Sequence, residues 1–245
     1  IIFKGITFGT PNGIRIERTD QQLFYLMKAA GWGRIMVAPE SGSQKMLERM
    51  SKHLDLNVVP EKVRQLQKAG LEVEAFFIVG HPGEDKNTIE ETRQFIKDVK
   101  FDMASFFAFQ PLPGTPIYDE LVRMGSVSKT DEMTSYGVVN WVPENWTKKE
   151  IYDIIYDFKR IMTDMYPWRF ECIFAKHTLM GKFIEKISDQ HRRHKILMRV
   201  YIIRKKITDW IFILKHGTEI KKQINSVILD EGNIEAKRRR ENKLK

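Results

Sequence analysis

An α/β fold built on a parallel sheet, followed by a region of helix alone, is the fold class this sequence predicts. Two observations carry that prediction. Short apolar runs at residues 2–8, 34–38, 72–79 and 103–109 are each followed by a stretch of helical spacing, and past residue 147 the spacing is helical throughout. The last three runs are also nearly continuous in apolar character, as strands covered by helices on both faces are. Four strand–helix units in the first 125 residues fit part of a βα barrel or a doubly wound sheet. Periodicity does not distinguish closure, but in either architecture ligands bind at the C-terminal ends of the strands.

The elements follow in order. A first helix near residues 19–30 carries Leu23, Leu26, Met27 and Ala30 at helical spacing and stops at Gly31. Two helices, at 43–50 and 60–69, separate the second and third strands; the latter has Pro60 in its first turn and Gly70 at its end. Thr88 with Glu91 reads as a capping box opening a helix to about Val99, and Thr115-Pro116 starts another that ends at Gly125. Residues 126–146 are polar and irregular, with Trp141, Pro143 and Trp146, and read as a linker or cap. Thr147 and Glu150 form a second capping box, with Ile151, Ile154, Ile155, Phe158, Ile161, Met162 and Met165 along one face. From Ile196 to Leu214 apolar positions recur at steps of four and three among Arg199, Arg204, Lys205 and Lys206, a basic helix in need of a partner surface. The final KRRRENKLK reads as a frayed tail.

With 245 residues, 42% of them apolar, the chain can bury a core. No signal peptide opens it and no apolar run is long enough to span a bilayer, so a cytoplasmic setting is expected. It begins with Ile inside a strand-like run, and an upstream portion is expected. Residues 1–146 hold 17 Lys+Arg against 19 Asp+Glu, whereas the remaining 99 hold 24 against 13, so the net +9 belongs to the C-terminal part. That charge suits nucleic acid or an anionic membrane surface, but solvated helix faces produce the same count more often. The single cysteine, Cys172, excludes a disulfide framework and any multi-thiolate metal site made by this chain alone; an inert core position is its plainer reading. His191 and His194 lack thiolate or carboxylate company and are not assigned to a metal.

Three strand-end loops carry candidate chemistry. In residues 38–43 (APESGS), Glu40 can accept hydrogen bonds from a cationic or hydroxyl-bearing ligand, while Ser41, Ser43 and the following backbone N–H groups suit an anion such as a carboxylate. A serine cap beside a surface acid explains the same residues. In residues 80–84 (GHPGE), Gly80 and Gly83 let backbone approach a flat ligand and Pro82 stiffens the path between them; a plain tight turn is the alternative. Residues 110–116 (QPLPGTP) form a pre-ordered loop able to wall a cavity, or simply a rigid start to the next helix.

Taken together, PNGIR at 11–15, ESGS at 40–43 followed by MLERMSK, IVGHPGED at 78–85 and PLPGTPIYDEL at 111–121 resemble the radical S-adenosylmethionine (SAM) superfamily, and most closely its class with an N-terminal cobalamin-binding domain. Order and spacing match over about the first 125 residues. The resemblance implies a partial TIM-like (β/α)6 barrel, strands three to six, at residues 1–125, then a linker or cap at 126–146 and a basic helical extension at 147–245. It implies that Glu40 and Ser41 meet the ribose and methionine parts of SAM, that Ile78 and Gly80 pack on adenine, and that Asn12 lines the site. His81 receives no catalytic role. The departure is the family's CxxxCxxC loop, which ligates a [4Fe-4S] cluster and is absent here. The chain then reads as the C-terminal part of a longer enzyme that cleaves SAM or transfers a methyl group, with cobalamin as a further cofactor and a small molecule as substrate. Its partners would be the missing N-terminal portion and, through the basic helix, a membrane surface; nucleic acid is not favoured. Two alternatives remain open, a methylthiotransferase-like enzyme acting on tRNA and a non-catalytic barrel remnant that binds or docks.

Overall fold

The computed structural model describes residues 8–127, 138–144, 146–166 and 226. Most of the first run (residues 2–8), Cys172, His191, His194, the basic helix and the tail therefore lie outside the described residues.

Among the described residues three parallel strands form a sheet in the order β1 (Arg34–Glu40), β2 (Glu72–Val79), β3 (Met103–Ala108). The preceding segment lies alongside β1 through single parallel bridges, Phe8 to Trp32 and Ile14 to Val37. Helices α1 (Gln21–Ala29), α2 (Gln44–Arg49), α3 (Val59–Lys68), α4 (Lys86–Val99), α5 (Pro116–Arg123) and α6 (Lys148–Met165) alternate with and follow the strands.

Their ends obey capping chemistry. Asp20, Thr115 and Thr147 accept backbone N–H groups of the first turns of α1, α5 and α6. One expected start is corrected: α4 begins at Lys86, with Asp85 as its cap, and Thr88 is the third helical residue. The Asp85 carboxylate accepts from the Asn87 and Thr88 N–H groups while Thr88 Oγ1 accepts from Asp85 N–H, a box displaced three residues from the expected one.

Burial alternates along β1 and through the second half of β2 despite their continuous apolar composition. Ile35 and Val37 of β1, Val73, Ala75, Phe77 and Val79 of β2, and Phe106 and Ala108 of β3 join one core with Val63 and Leu66 of α3, Ile96 of α4 and Phe158 of α6. The opposite face presents Met36, Phe76, Ile78, Ser105 and Phe107, all half-buried. Helices on one face and a partly open other face are the wall of a barrel. The expectation of helices on both faces fails for Phe76 and Phe107, which stay half-buried against each other, whereas Ile78 packs on the cluster that includes Tyr118 and Leu121 of α5.

α6 belongs to the same core. Ile151 reaches Gly80 beyond the C-terminal end of β2, Phe158 packs on Phe106, and the Tyr166 hydroxyl donates to the Lys100 carbonyl ahead of β3 at 2.9 Å. The helix thus runs back along the sheet from the C-terminal ends of the strands.

Candidate functional site

At the end of β1 the backbone leaves regular pairing between Val37 and Glu40, and Glu40 adopts φ +68°. A left-handed conformation without glycine is strained, and such residues concentrate at functional sites. The turn aims the Glu40 carboxylate at Lys52, whose Nζ lies 3.0 Å away. Both side chains keep partial solvent access. Lys52 follows Ser51, itself at φ +52°, so two strained residues hold the pair. Beside it lies a cavity of about 280 Å³ lined by Ile14, Ile16, Val37, Pro39, Lys52 and Leu54.

The rest of this loop is locked from behind by α4. The Ser41 hydroxyl, fully buried, shares a hydrogen bond with Thr92 Oγ1 at 3.1 Å and accepts the Ser43 N–H at 3.2 Å. Gly42 N–H donates to the same Thr92 oxygen at 3.0 Å. A Cβ on Gly42 would fall 2.6 Å from Thr92 Cα and Phe95 Cβ, so only glycine lets the loop come this close. Ser41 is thus turned inward and committed to the scaffold. Ser43 precedes α2 without capping it; its hydroxyl is buried and has no hydrogen-bond partner. An orphaned buried hydroxyl of this kind calls for an explanation, and a ligand group is one.

At the end of β2, Gly80 and Gly83 both take positive φ, +85° and +89°, as the expected close-approach role of the two glycines requires. The loop between them is held by Glu84, which accepts the Gly80 N–H and donates its own N–H to the His81 carbonyl at 3.0 Å. Burial pushes the Glu84 carboxyl up to about 7, against the opposing pull of the Gly80 and His81 backbone N–H groups. His81 is buried edge-on to Phe109, centroids 4.8 Å apart, and its Nδ1 lies 2.9 Å from the Pro82 carbonyl oxygen; desolvation draws its pKa down. Pro82 is buried within the loop.

Ile78, two residues earlier, points to the open face and packs against a second cluster of Phe109, Tyr118, Leu121 and Val127 that also takes in Trp141. The loop after β3 runs beside it, tied to β2 by the Phe109 N–H donating to the Val79 carbonyl at 2.8 Å. Asn12 sits exposed in the turn that precedes Ile14, where Gly13 lies against the β1 backbone.

The structure therefore brings Glu40, Ser43, Ile78, Gly80, Pro82 and Gly83 to one end of the sheet and turns Ser41 inward. Sequence reasoning passed over Lys52, Glu84 and Trp141. The first stood within the motif as the last residue of MLERMSK and the second closed GHPGE; Trp141, some 30 residues after β3, carried no comparable signal. Among the described residues no cluster of His, Cys, Asp and Glu is arranged to hold a metal, and no helix is long and apolar enough to cross a membrane.

Residues 4–96 match the family described as the radical SAM superfamily. The chain is 30% identical over 167 residues to the cytidylyl-2-hydroxyethylphosphonate methyltransferase of Streptomyces wedmorensis, covering 64% of this chain and 31% of the relative. It is 31% identical over 112 residues to the tRNA-2-methylthio-N(6)-dimethylallyladenosine synthase of Acinetobacter baylyi, covering 45% and 23%. The cobalamin-dependent SAM radical enzyme OxsB, solved with aqua-cobalamin and SAM bound, superposes with a TM-score of 0.42 at 14% identity, over 94% of this chain and 37% of that one. The chain spans less than a third of the length of these two curated relatives. The matched motifs, the parallel strand–helix wall and the loops gathered at its C-terminal end accord with the radical SAM superfamily match carried by residues 4–96.

Proposed function

We propose that this chain is the SAM-holding part of a radical SAM enzyme whose iron–sulfur ligands lie outside it. The observation that carries the reading is the Glu40–Lys52 pair at 3.0 Å, beside a loop with an orphaned buried Ser43 hydroxyl. SAM carries a carboxylate, an ammonium, two ribose hydroxyls and a flat purine, and the residues fit three of these. The Lys52 ammonium suits the carboxylate, Glu40 the ribose hydroxyls, and Ile78 with the Gly80–Gly83 backbone the purine. When bound by a cluster, SAM supplies a 5′-deoxyadenosyl radical. This chain's own part is to fix the nucleoside and methionine ends.

The [4Fe-4S] cluster does not fit these residues: one cysteine in the whole sequence cannot replace three thiolates. We therefore assign the radical or methyl-transfer chemistry on a small molecule to a longer parent protein, in a cytoplasmic setting, and derive no step through the cluster here. Anaerobic reconstitution of that parent, in parallel arms with and without cobalamin, would test for 5′-deoxyadenosine release.

The chain itself is tested with S-adenosylhomocysteine, which needs no iron to bind. Equilibrium dialysis should show saturable retention, weakened at least tenfold by Lys52→Ala, because a charge-assisted contact is lost. No saturable retention by the wild type would sink the proposal. A second reading, a tRNA-modifying methylthiotransferase, draws on the 31% identity to the Acinetobacter baylyi synthase; salt-sensitive retention of tRNA would favour it. Membrane docking by residues 196–214 predicts flotation with anionic vesicles.

A further inference from the structure

Three cations of one short segment each meet an acid from a different strand-end loop. Lys52 Nζ lies 3.0 Å from Glu40, at the end of β1, and Lys45 Nζ lies 3.0 Å from the carboxylate of Asp85, which caps α4 after β2. Arg49 Nη2 donates to Glu120 Oε1 on α5, after β3. Lys45 and Arg49 stand four residues apart and so share a face of α2. On its way to Glu120 the Arg49 side chain passes over Gly83: its Cγ, Nε and Cδ lie 3.7, 3.8 and 4.0 Å from where a Cβ on that glycine would stand. Those three atoms are the nearest to that point from elsewhere in the described chain. Gly83, at φ +89°, is exposed, whereas His81, Pro82 and Glu84 around it are buried. Besides its desolvation, the His81 ring feels Arg49 and Glu120 in opposite senses, which places both close above it.

We propose that Arg49 is a positioning residue: it lies across Gly83 to Glu120 and holds the Gly80–Gly83 turn in place between the loops after β1 and β3. Glycine loses more conformational freedom on ordering than any other residue and has no side chain to pack, so a turn built on two of them is held by contacts from outside. Ile151 supplies one such contact, at Gly80. Arg49 supplies the other, with its aliphatic stem against Gly83 and its charged end fixing the stem. A single exposed ion pair contributes little, but this one belongs to a set of three that leave one segment for three loops. That the turn meets a ligand rests on the SAM-holding role proposed above; Arg49 itself is assigned no contact with that ligand.

The test follows amide hydrogen exchange in the full chain at Gly80 and Glu84, whose N–H groups are both hydrogen-bonded within the turn. Arg49→Ala and Glu120→Ala should each speed exchange there by about threefold, the order an ion pair of this exposure supplies, and leave the paired amides of β1 unchanged. The double alanine variant should exchange no faster than Arg49→Ala alone, as residues acting through one contact require. S-adenosylhomocysteine should bind more weakly to Arg49→Ala, in step with the faster exchange. Unchanged exchange at Gly80 and Glu84, additive effects of the two substitutions, or weaker binding without faster exchange would each overturn the proposal. Retention of S-adenosylhomocysteine that depends on Lys52, with exchange and affinity both unmoved by Arg49→Ala, sinks this inference and leaves the SAM-holding role standing. No retention by the wild type, with exchange responding as stated, removes the SAM-holding role and leaves the hold of Arg49 on the turn.

Discussion

Glu84 is the residue whose environment departs furthest from that of its surface relatives. Its carboxyl is raised to about 7 in the folded chain, from an ordinary value near 4.5. A raised folded value means that the associated stability is complete below the unfolded pKa and is lost as pH rises through the folded one. The window is therefore about pH 4.5 to 7, and the loss on crossing it is on the order of 3 kcal/mol. His81 pushes the other way, since a depressed histidine loses stability as pH falls below its ordinary value, so wild type must be compared with Glu84→Gln. That variant keeps an acceptor for the Gly80 N–H without the charge. Its melting temperature relative to that of wild type should rise between pH 5 and 8, and should exceed it at pH 8. Identical pH profiles would remove Glu84 from this account. Little of this was legible beforehand: the acid was visible in GHPGED, but which of two adjacent acids turns inward depends on the Gly80 and Gly83 dihedrals and on packing.

Among the elements, caps and helix faces were the readable part, because each is decided within four residues. Thr115, Thr147 and Glu150 act as the local pattern requires. The start of α4 was misread because Thr88 and Asp85 both qualify as caps, and the Lys45 ammonium 3.0 Å from the Asp85 carboxylate, 40 residues away in sequence, adds to a choice no local window contains. The alternation within β2 was hidden for a related reason, since inner-face Phe76 and Ile78 are as apolar as core-face Phe77 and Val79. Between elements, α6 is fastened to α4 by Arg93, whose guanidinium meets Asp157 through Nε at 3.0 Å and Nη2 at 2.8 Å and lies 5.6 Å from the centre of the Phe158 ring. Both side chains are partly shielded, so the pair contributes more than an exposed one, on the order of 1–2 kcal/mol with the ring contact. Asp157→Ala should lower the urea midpoint accordingly with an unchanged slope; an unchanged midpoint would show that the apolar face of α6 holds the helix unaided.

For the whole molecule, the alternation of strand and helix was legible in the periodicity, whereas the barrel wall was reached only through the resemblance, because periodicity does not separate it from a doubly wound sheet. That choice depends on which face each helix covers, visible where Phe77, Phe106 and Phe158 meet on one side while Phe76 and Phe107 stay half-open on the other. The single cysteine has a molecule-wide consequence that can be measured. Given iron and sulfide under anaerobic conditions, the isolated chain should take up no stoichiometric cluster, and Cys172→Ala should neither change that result nor reduce retention of S-adenosylhomocysteine. Stoichiometric iron in the wild-type chain would contradict the division of labour proposed here.

Ile151 occupies the space that a side chain on Gly80 would need, with its Cδ1 2.9 Å from the position of the missing Cβ. The two residues are about 70 positions apart, so the backing of the glycine loop is a long-range contact. As the polypeptide leaves the ribosome, β1, β2 and β3 can pair before α6 exists, and the Gly80–Gly83 loop stays unsupported during that interval. The described strands are all made after Ala108, but the glycine loop gains its backing only after α6 has docked.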